Sequence, residues 1–343
     1  MGEQSEGLGE PQKQGLADAA ATRGDHHDLG SSLEPALLEA CEGRLTDVRW
    51  FRTDWQIGGA STAHGKYTRN PGEPELEVVV KLPVGPREYR FLTGLGQSEA
   101  PTPRIAQHGS ELGGYDFAWV VMERLPGSPP ASHLSKEVFE RLLEAAALFH
   151  RSCAEIWPLE APPPPPDWAG LIERAREAMK ANPDIPHAQE WVVSLKHVQK
   201  CLPKLLGAWA ARQINTWRHG DLHPGNCMER LPGSPWHSYS GYVLFDLAEV
   251  VPGHWIEDAV YLERIYWGKP ELLDGVKPVS HLAKVRRSLG MDTSDDYGQL
   301  ANIRRVLMAA TSPAFLQHEG RPAYLNAALQ TLDRLLPQVS KAV

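Results

Sequence analysis

Arg218-His219-Gly220-Asp221-Leu222-His223-Pro224-Gly225-Asn226, followed by Asp246 at the end of the apolar run Tyr242-Val-Leu-Phe, is the stretch from which the rest of the chain can be read. It sets a carboxylate, a carboxamide and a second carboxylate in order: Asp221, Asn226 and Asp246. Taken alone, an acid in a His-Gly-Asp turn is an ordinary solvated loop residue. The conjunction is more specific. His219, Asp221 and Asn226 keep the His-x-Asp-x-x-x-x-Asn spacing of a kinase catalytic loop, and Asp246 closes a strand-like run. In that order one carboxylate can take the proton of an attacking hydroxyl, while the amide and the second carboxylate hold Mg²⁺ against the phosphates of ATP.

Upstream, Glu75-Leu-Glu-Val-Val-Val-Lys-Leu alternates with period two, placing Leu76, Val78, Val80 and Leu82 on one face and Val79 with Lys81 on the other. Arg87 to Leu95 reads as a helix carrying Glu88, although Arg87, Glu88 and Arg90 also suit a solvated helix face. Asp47 to Asp54 has the composition of a first strand, and Gln56-Ile-Gly-Gly-Ala-Ser-Thr suits a turn. Gly58 and Gly59 there can bring backbone amides and the Ser61 or Thr62 hydroxyl toward phosphate, or can simply turn a hairpin. Phe117 to Leu125 is a buried strand stopped by Pro126 and Gly127, a natural hinge.

Beyond the hinge the pattern turns helical. Phe139, Leu142, Leu143, Ala146 and Phe149 recur at three and four with Ser135 placed as N-cap, and apolar helical faces return at Leu300 to Ala310 and Leu325 to Leu336. Pro162 to Pro166 form an extended linker ahead of helical segments from about Leu171 to Ala211. Eight tryptophans, Trp236 among them, fall in this later part, where they suit core packing or an aromatic site. Residues 1–33 are rich in Gly, Gln, Ala and acid and read as a disordered tail. They hold a charge of -4, half of the chain's -8, which leaves a mildly acidic body without the basic stripe that nucleic acid requires. No run is apolar enough for a membrane span and the start lacks signal-peptide features, so a cytoplasmic address is expected. Cys41, Cys153, Cys201 and Cys227 show no paired spacing and are expected to be reduced and mostly buried.

These residues, in this order, resemble the aminoglycoside phosphotransferase and choline kinase superfamily over roughly residues 40 to 265. The resemblance implies an α+β, bilobal protein-kinase-like fold, with a small antiparallel-sheet lobe over 34–124 and a larger helical, catalytic and substrate-binding lobe over 125–343. It implies that Asp221 is the catalytic base or orients the acceptor hydroxyl, that Asn226 and Asp246 are the Mg²⁺ ligands, that Lys81 holds the α and β phosphates, and that Glu88 is its ion-pair partner. Sharing a strand face with Lys81, Val79 is expected to offer adenine a small apolar contact, and the resemblance implies that backbone groups around Met122, Glu123 and Leu125 meet the purine of ATP, with GTP left open. Asp258 fits an acidic position that braces the catalytic loop, and His219 and His223 are loop-shaping. His254-Trp255 stands where the family more often has Asp-Pro, which removes the basis for transferring drug-binding residues. The expected activity is ATP- and Mg²⁺-dependent transfer of phosphate to a hydroxyl of a small molecule, aminoglycoside-like or otherwise hydroxylated. The alternatives are a protein kinase-like enzyme, disfavoured because no Ala-Pro-Glu follows Asp246, and a catalytically silent kinase-fold binding protein.

Overall fold

The alternation of Leu76, Val78, Val80 and Leu82 makes a strand because only a period of two brings all four onto one buried face. In the computed structural model, which describes residues 29–51 and 60–342, Val78, Val80 and Leu82 are buried, while Val79 and Lys81 are half-buried. The first helix, α1, covers 29–40. Then come β1 (Leu45–Phe51), β2 (Ser61–Tyr67), β3 (Leu76–Leu82), α2 (Pro86–Leu95), β4 (Ile105–Gly109) and β5 (Trp119–Glu123). The five strands form one antiparallel sheet in the order β1-β2-β3-β5-β4.

The second run is mostly helical: α3 (Lys136–Ile156), α4 (Trp168–Ala181), α5 (Ala188–Ala210), β6 (Thr216–Arg218), β7 (Cys227–Arg230), β8 (Gly241–Leu244), β9 (Val251–Gly253), α6 (Ile256–Ile265), α7 (Pro278–Ser288), α8 (Tyr297–Thr311), α9 (Leu316–Glu319) and α10 (Pro322–Ala342). Ser135 caps α3 as expected, its hydroxyl accepting from the Val138 N–H. The short strands pair as two antiparallel ribbons, β6 with β9 and β7 with β8. Around them α3 packs on α7, α6 on α7 and α8, and α10 on α8 and α5. No helix among the described residues is long and apolar enough to cross a membrane.

The chain divides into two compact units that are not contiguous in sequence. Unit 1 takes residues up to 97 with 103–125 and 233–238, and unit 2 takes 98–102, 126–232 and 239–343. Unit 1 has its core between the sheet and α1: Leu33, Leu37 and Cys41 meet Ala63, Tyr67, Val78, Val80, Leu82 and Trp236. Trp236, which the sequence sets in the later part of the chain, therefore packs with the sheet. Arg69 holds it from outside, with the guanidinium 4.6 Å from the ring centre and Nη1 donating to the Pro235 carbonyl. In unit 2, Trp191, Trp217 and Trp255 are among the largest fully buried side chains.

Two expectations change. Of the expected tail, residues 1–28 lie outside the described residues, and 29–33 belong to α1, because Leu29, Leu33 and Leu37 form an i, i+4 stripe with the sheet to cover. The first strand begins at Leu45 and carries a bulge at Asp47, whose φ is +52° and whose carboxylate accepts two bonds from Arg49. Cys41, Cys153 and Cys227 are buried and free, and burial pushes the Cys41 thiol up to about 11 and the Cys227 thiol up to about 12.

Candidate active site

Strand β6 delivers the chain into His219-Gly220-Asp221, where the turn requires a glycine. Gly220 has φ +86°, and a Cβ there would lie 2.3 Å from the Glu249 carbonyl oxygen. The two backbone N–H groups at the turn point into unit 2 and need acceptors. Asp258 on α6, fully buried, supplies both: Oδ2 accepts from the His219 N–H and Oδ1 from the Gly220 N–H, each at 2.8 Å. The loop brace expected of Asp258 is thus present.

Behind Asp258 a relay of charge runs outward. His150 on α3 donates from Nε2 to Asp258 Oδ2 at 2.9 Å, and its Nδ1 accepts from Arg286 Nη1 on α7 at 3.4 Å. This pair of bonds assigns His150 as the neutral Nε2–H tautomer, and burial lowers its pKa accordingly. Burial opposes the charge on Asp258, but the bonds from His150 and Gly220 prevail and hold its carboxyl below the usual range. Burial also brings Arg286 down to about 10, so it remains a cation at neutral pH. His219 is neutral for the same reason: its buried ring donates from Nε2 to the Phe245 carbonyl at 3.2 Å and accepts the Asp221 N–H at Nδ1.

Asp221 is surrounded by donors. Tyr261, one turn along α6 from Asp258, donates its hydroxyl to Oδ1 at 2.5 Å, and Asn226 Nδ2 donates to Oδ2 at 2.9 Å and to the Asp221 carbonyl at 3.0 Å. His223 Nε2 lies 3.6 Å from Oδ2, a contact too long for a full hydrogen bond, while its Nδ1 accepts the Gly225 N–H at 2.9 Å. His223, then Tyr261 and Asn226, outweigh burial and hold the Asp221 carboxyl well below the usual carboxylate range. Burial and the bond to Asp221 together raise the Tyr261 phenol, which therefore stays protonated as a donor.

Ribbon β7–β8 brings the remaining two residues together. Cys227 pairs with Leu244, and the Phe245 N–H donates to the Asn226 carbonyl at 3.1 Å, so Asn226 and Asp246 leave the same end of the ribbon. Asp246 is exposed, with φ +61° and ψ +65°, a left-handed conformation that Asp tolerates better than most residues and that turns the chain abruptly out of β8. Its carboxylate makes no cap bond to the turn it opens. Asn226 commits its NH₂ to Asp221, which fixes the amide plane and leaves Oδ1 as the oxygen that could meet a metal. Two oxygen donors suit Mg²⁺, which binds through one or two protein oxygens together with water and phosphate. Among the described residues no group of three or more His, Cys, Asp and Glu side chains forms a self-sufficient metal cage.

The remaining candidates lie in unit 1. Lys81 Nζ meets Glu88 Oε1 at 2.5 Å, with Glu88 buried on the first turn of α2. Thr62 is directly opposite Lys81 in the sheet and shares its face; Val79 lies two residues along the same strand and also shares it. Ser61 is opposite Leu82, on the other, core-facing side, so the register separates it from Lys81. Glu123 is buried and fully engaged: its N–H donates to the Arg104 carbonyl, and its carboxylate accepts from the Arg104 N–H and the Ser234 hydroxyl. Leu125, just past β5, is buried. Gly58 and Gly59 lie outside the described residues.

Tyr261, His150 and Arg286 had no signal in the sequence, since each reaches its partner across 40 residues or more without a local motif. The profile of the phosphotransferase enzyme family matches residues 66–286. No curated protein matches the chain. Among solved structures, a proposed aminoglycoside phosphotransferase from Ralstonia eutropha is 16% identical, covers 90% of this chain and 98% of its own, and gives a TM-score of 0.51. That likeness supports the α+β, protein-kinase-like fold. An aminoglycoside-3'-phosphotransferase of type VIII is 20% identical over 84% of this chain and 100% of its own, with a TM-score of 0.45.

Proposed function

The chain belongs to the phosphotransferase enzyme family, and from that membership we propose that it is a small-molecule O-kinase, moving the γ-phosphate of ATP with Mg²⁺ to a hydroxyl of its acceptor. The observation that carries this reading is the Asp221 carboxylate, ionised and oriented by Tyr261, Asn226 and His223 on a loop stapled from behind by Asp258. In the transfer the acceptor oxygen bonds to the γ-phosphorus, the bond from that phosphorus to the β,γ-bridging oxygen breaks, and ADP leaves with the electron pair. The hydroxyl proton goes to Asp221. A carboxylate that already accepts from Tyr261 and Asn226 is a weakened base, so Asp221 first orients the hydroxyl by accepting its hydrogen bond and receives the proton late, as a loose transition state allows.

Asn226 and Asp246 would hold Mg²⁺, which neutralises phosphate charge. Residues 34–124 are assigned to the nucleotide: Lys81, kept in place by Glu88, to the phosphates, and Thr62 and Val79 to the same face; the chain at Leu125, where the second range begins, is assigned to the purine. Residues 125–343 are assigned to catalysis and the acceptor. Retention of Lys81, Asp221, Asn226 and Asp246 together argues against a silent binding protein. Asp221→Asn is expected to lower kcat by about 10² to 10⁴, the range for a positioned acid or base, with ATP binding preserved. Single-turnover transfer from labelled ATP reads this directly, and a variant as fast as the parent removes Asp221 from the role.

A further inference from the structure

Tyr261, whose hydroxyl bonds Asp221, also lines a cavity of about 430 Å³ within unit 2, a volume that fits a small ligand. Arg264, Lys269, Tyr266, Arg321 and Tyr324 are among its other walls. Among the described residues that line it, three are basic and none is acidic, on a chain whose formal charge is -8. The carboxylate nearest in sequence on the same helix, Glu263, faces a different cavity and is neutralised by Arg305, which donates to it from Nε at 3.0 Å and Nη2 at 2.8 Å. Arg264 is aimed by its own bond, Nε donating to the Tyr324 hydroxyl at 2.9 Å. Tyr324 is set in turn by stacking on Trp267, with ring centres 6.1 Å apart.

Asp221 and Glu249 act with negative charge on the Tyr261 phenol and Arg264 acts with positive charge, while Lys269 and Arg321 line the same cavity. Tyr261 and Arg264 are three residues apart on α6, so they share a face separated by about 4.5 Å along the axis. An amine-bearing acceptor would bring its cations against Arg264, Lys269 and Arg321. Resting on the kinase reading above, we infer that the acceptor is an alcohol bearing an oxyanion, a carboxylate or a phosphate, about one helical turn from the hydroxyl that is phosphorylated. Its hydroxyl meets Asp221 beside Tyr261, and its anion is drawn to Arg264, Lys269 and Arg321.

The test offers the full-length enzyme, with ATP and Mg²⁺, three acceptor pools at equal concentration: hydroxy acids, sugar phosphates and amino sugars. ATP consumption and product mass are followed for the parent and for the double variant Lys269→Glu with Arg321→Glu, both positions being exposed. One anionic pool is expected to gain phosphate at least about ten times faster than the amino sugars. For the acceptor found there, KM should rise about tenfold in the double variant, the size two screened surface charges supply, with kcat little changed. Which anionic pool reacts separates carboxylate from phosphate. Preference of the parent for amino sugars, or an unchanged KM in the variant, overturns the inference and leaves the kinase reading standing. If neither a pool nor water draws phosphate from ATP, the kinase reading fails and the inference with it.

Discussion

Replacing Asp258 by asparagine keeps the shape of the brace and removes its charge, and the structure lets the cost be worked out bond by bond. Oδ2 serves both the His219 N–H and His150 Nε2, whereas Oδ1 serves only the Gly220 N–H. The amide therefore does best with its oxygen at the Oδ2 position and its NH₂ facing the Gly220 N–H. That loses one charge-assisted hydrogen bond, about 1.5–3 kcal/mol, and leaves a buried donor unmet at about 1–3 kcal/mol. Together these give a total of about 2.5–6 kcal/mol. Amide hydrogen exchange at His219 and Gly220 is the direct assay. Exchange there should quicken by roughly two to four orders of magnitude, with kcat falling because Asp221 is carried by the loosened turn. Exchange within threefold of the parent in a folded variant would refute the idea that Asp258 holds the loop.

Gly220→Ala should cost about 1–2 kcal/mol from its left-handed backbone alone, and more from the clash with the Glu249 carbonyl, which cannot rotate away. Denaturant unfolding reads it, and a stable, fully active variant would contradict the steric argument. Tyr261→Phe removes the hydroxyl donor to Asp221 and should lower kcat by about one to two orders of magnitude, with KM for ATP unchanged; steady-state kinetics separate the two. Burial lowers the pKa of His150, His219 and His254 in the folded chain, so the unfolded chain takes up protons that the folded one refuses. Stability is then full above pH ~6.5 and lost as pH falls below it, at up to about 4 kcal/mol per unit while all three resist protonation. Urea midpoints at pH 7.5 and 5.5 check the sign, and a higher midpoint in acid would reverse it.

What the sequence discloses is local. Strand β3 is legible because alternation is a property of adjacent residues, and the order Asp221, Asn226, Asp246 is legible because one loop and one ribbon carry it. The pairing of Lys81 with Glu88 could be anticipated across seven residues, and the structure makes that contact. What orients Asp221 could not. Tyr261 reads as one more aromatic on an amphipathic helix, and His150 as one more position on the buried face of α3; their roles exist only once α3, α6 and α7 converge on the loop. Ser61 and Thr62 are equivalent in the sequence as hydroxyls beside a turn, and only strand register tells them apart, setting Thr62 opposite Lys81 and Ser61 opposite Leu82. The segment Met122–Pro129 recurs letter for letter as Met228–Pro235, and in both copies a strand runs into a turn with a left-handed glycine, Gly127 at φ +81° and Gly233 at φ +78°.

The indole of Trp236 has a consequence for how the protein is made. The five strands of the first unit have all been synthesised once Glu123 is added, yet their core still lacks the ring that packs with Leu33 and Tyr67. At about 5–20 residues per second the missing side chain arrives roughly 6 to 23 seconds later. In the second unit the order is inverted: the carbonyls of Pro101 and Thr102 are made early and wait for the Leu244 N–H and the Arg230 guanidinium. Neither unit is a contiguous piece of chain, so expression of 1–125 or 126–343 alone would yield fragments with a vacancy in one and missing hydrogen-bond acceptors in the other. Nascent chains shorter than about 236 residues are the form in which this protein most needs chaperones.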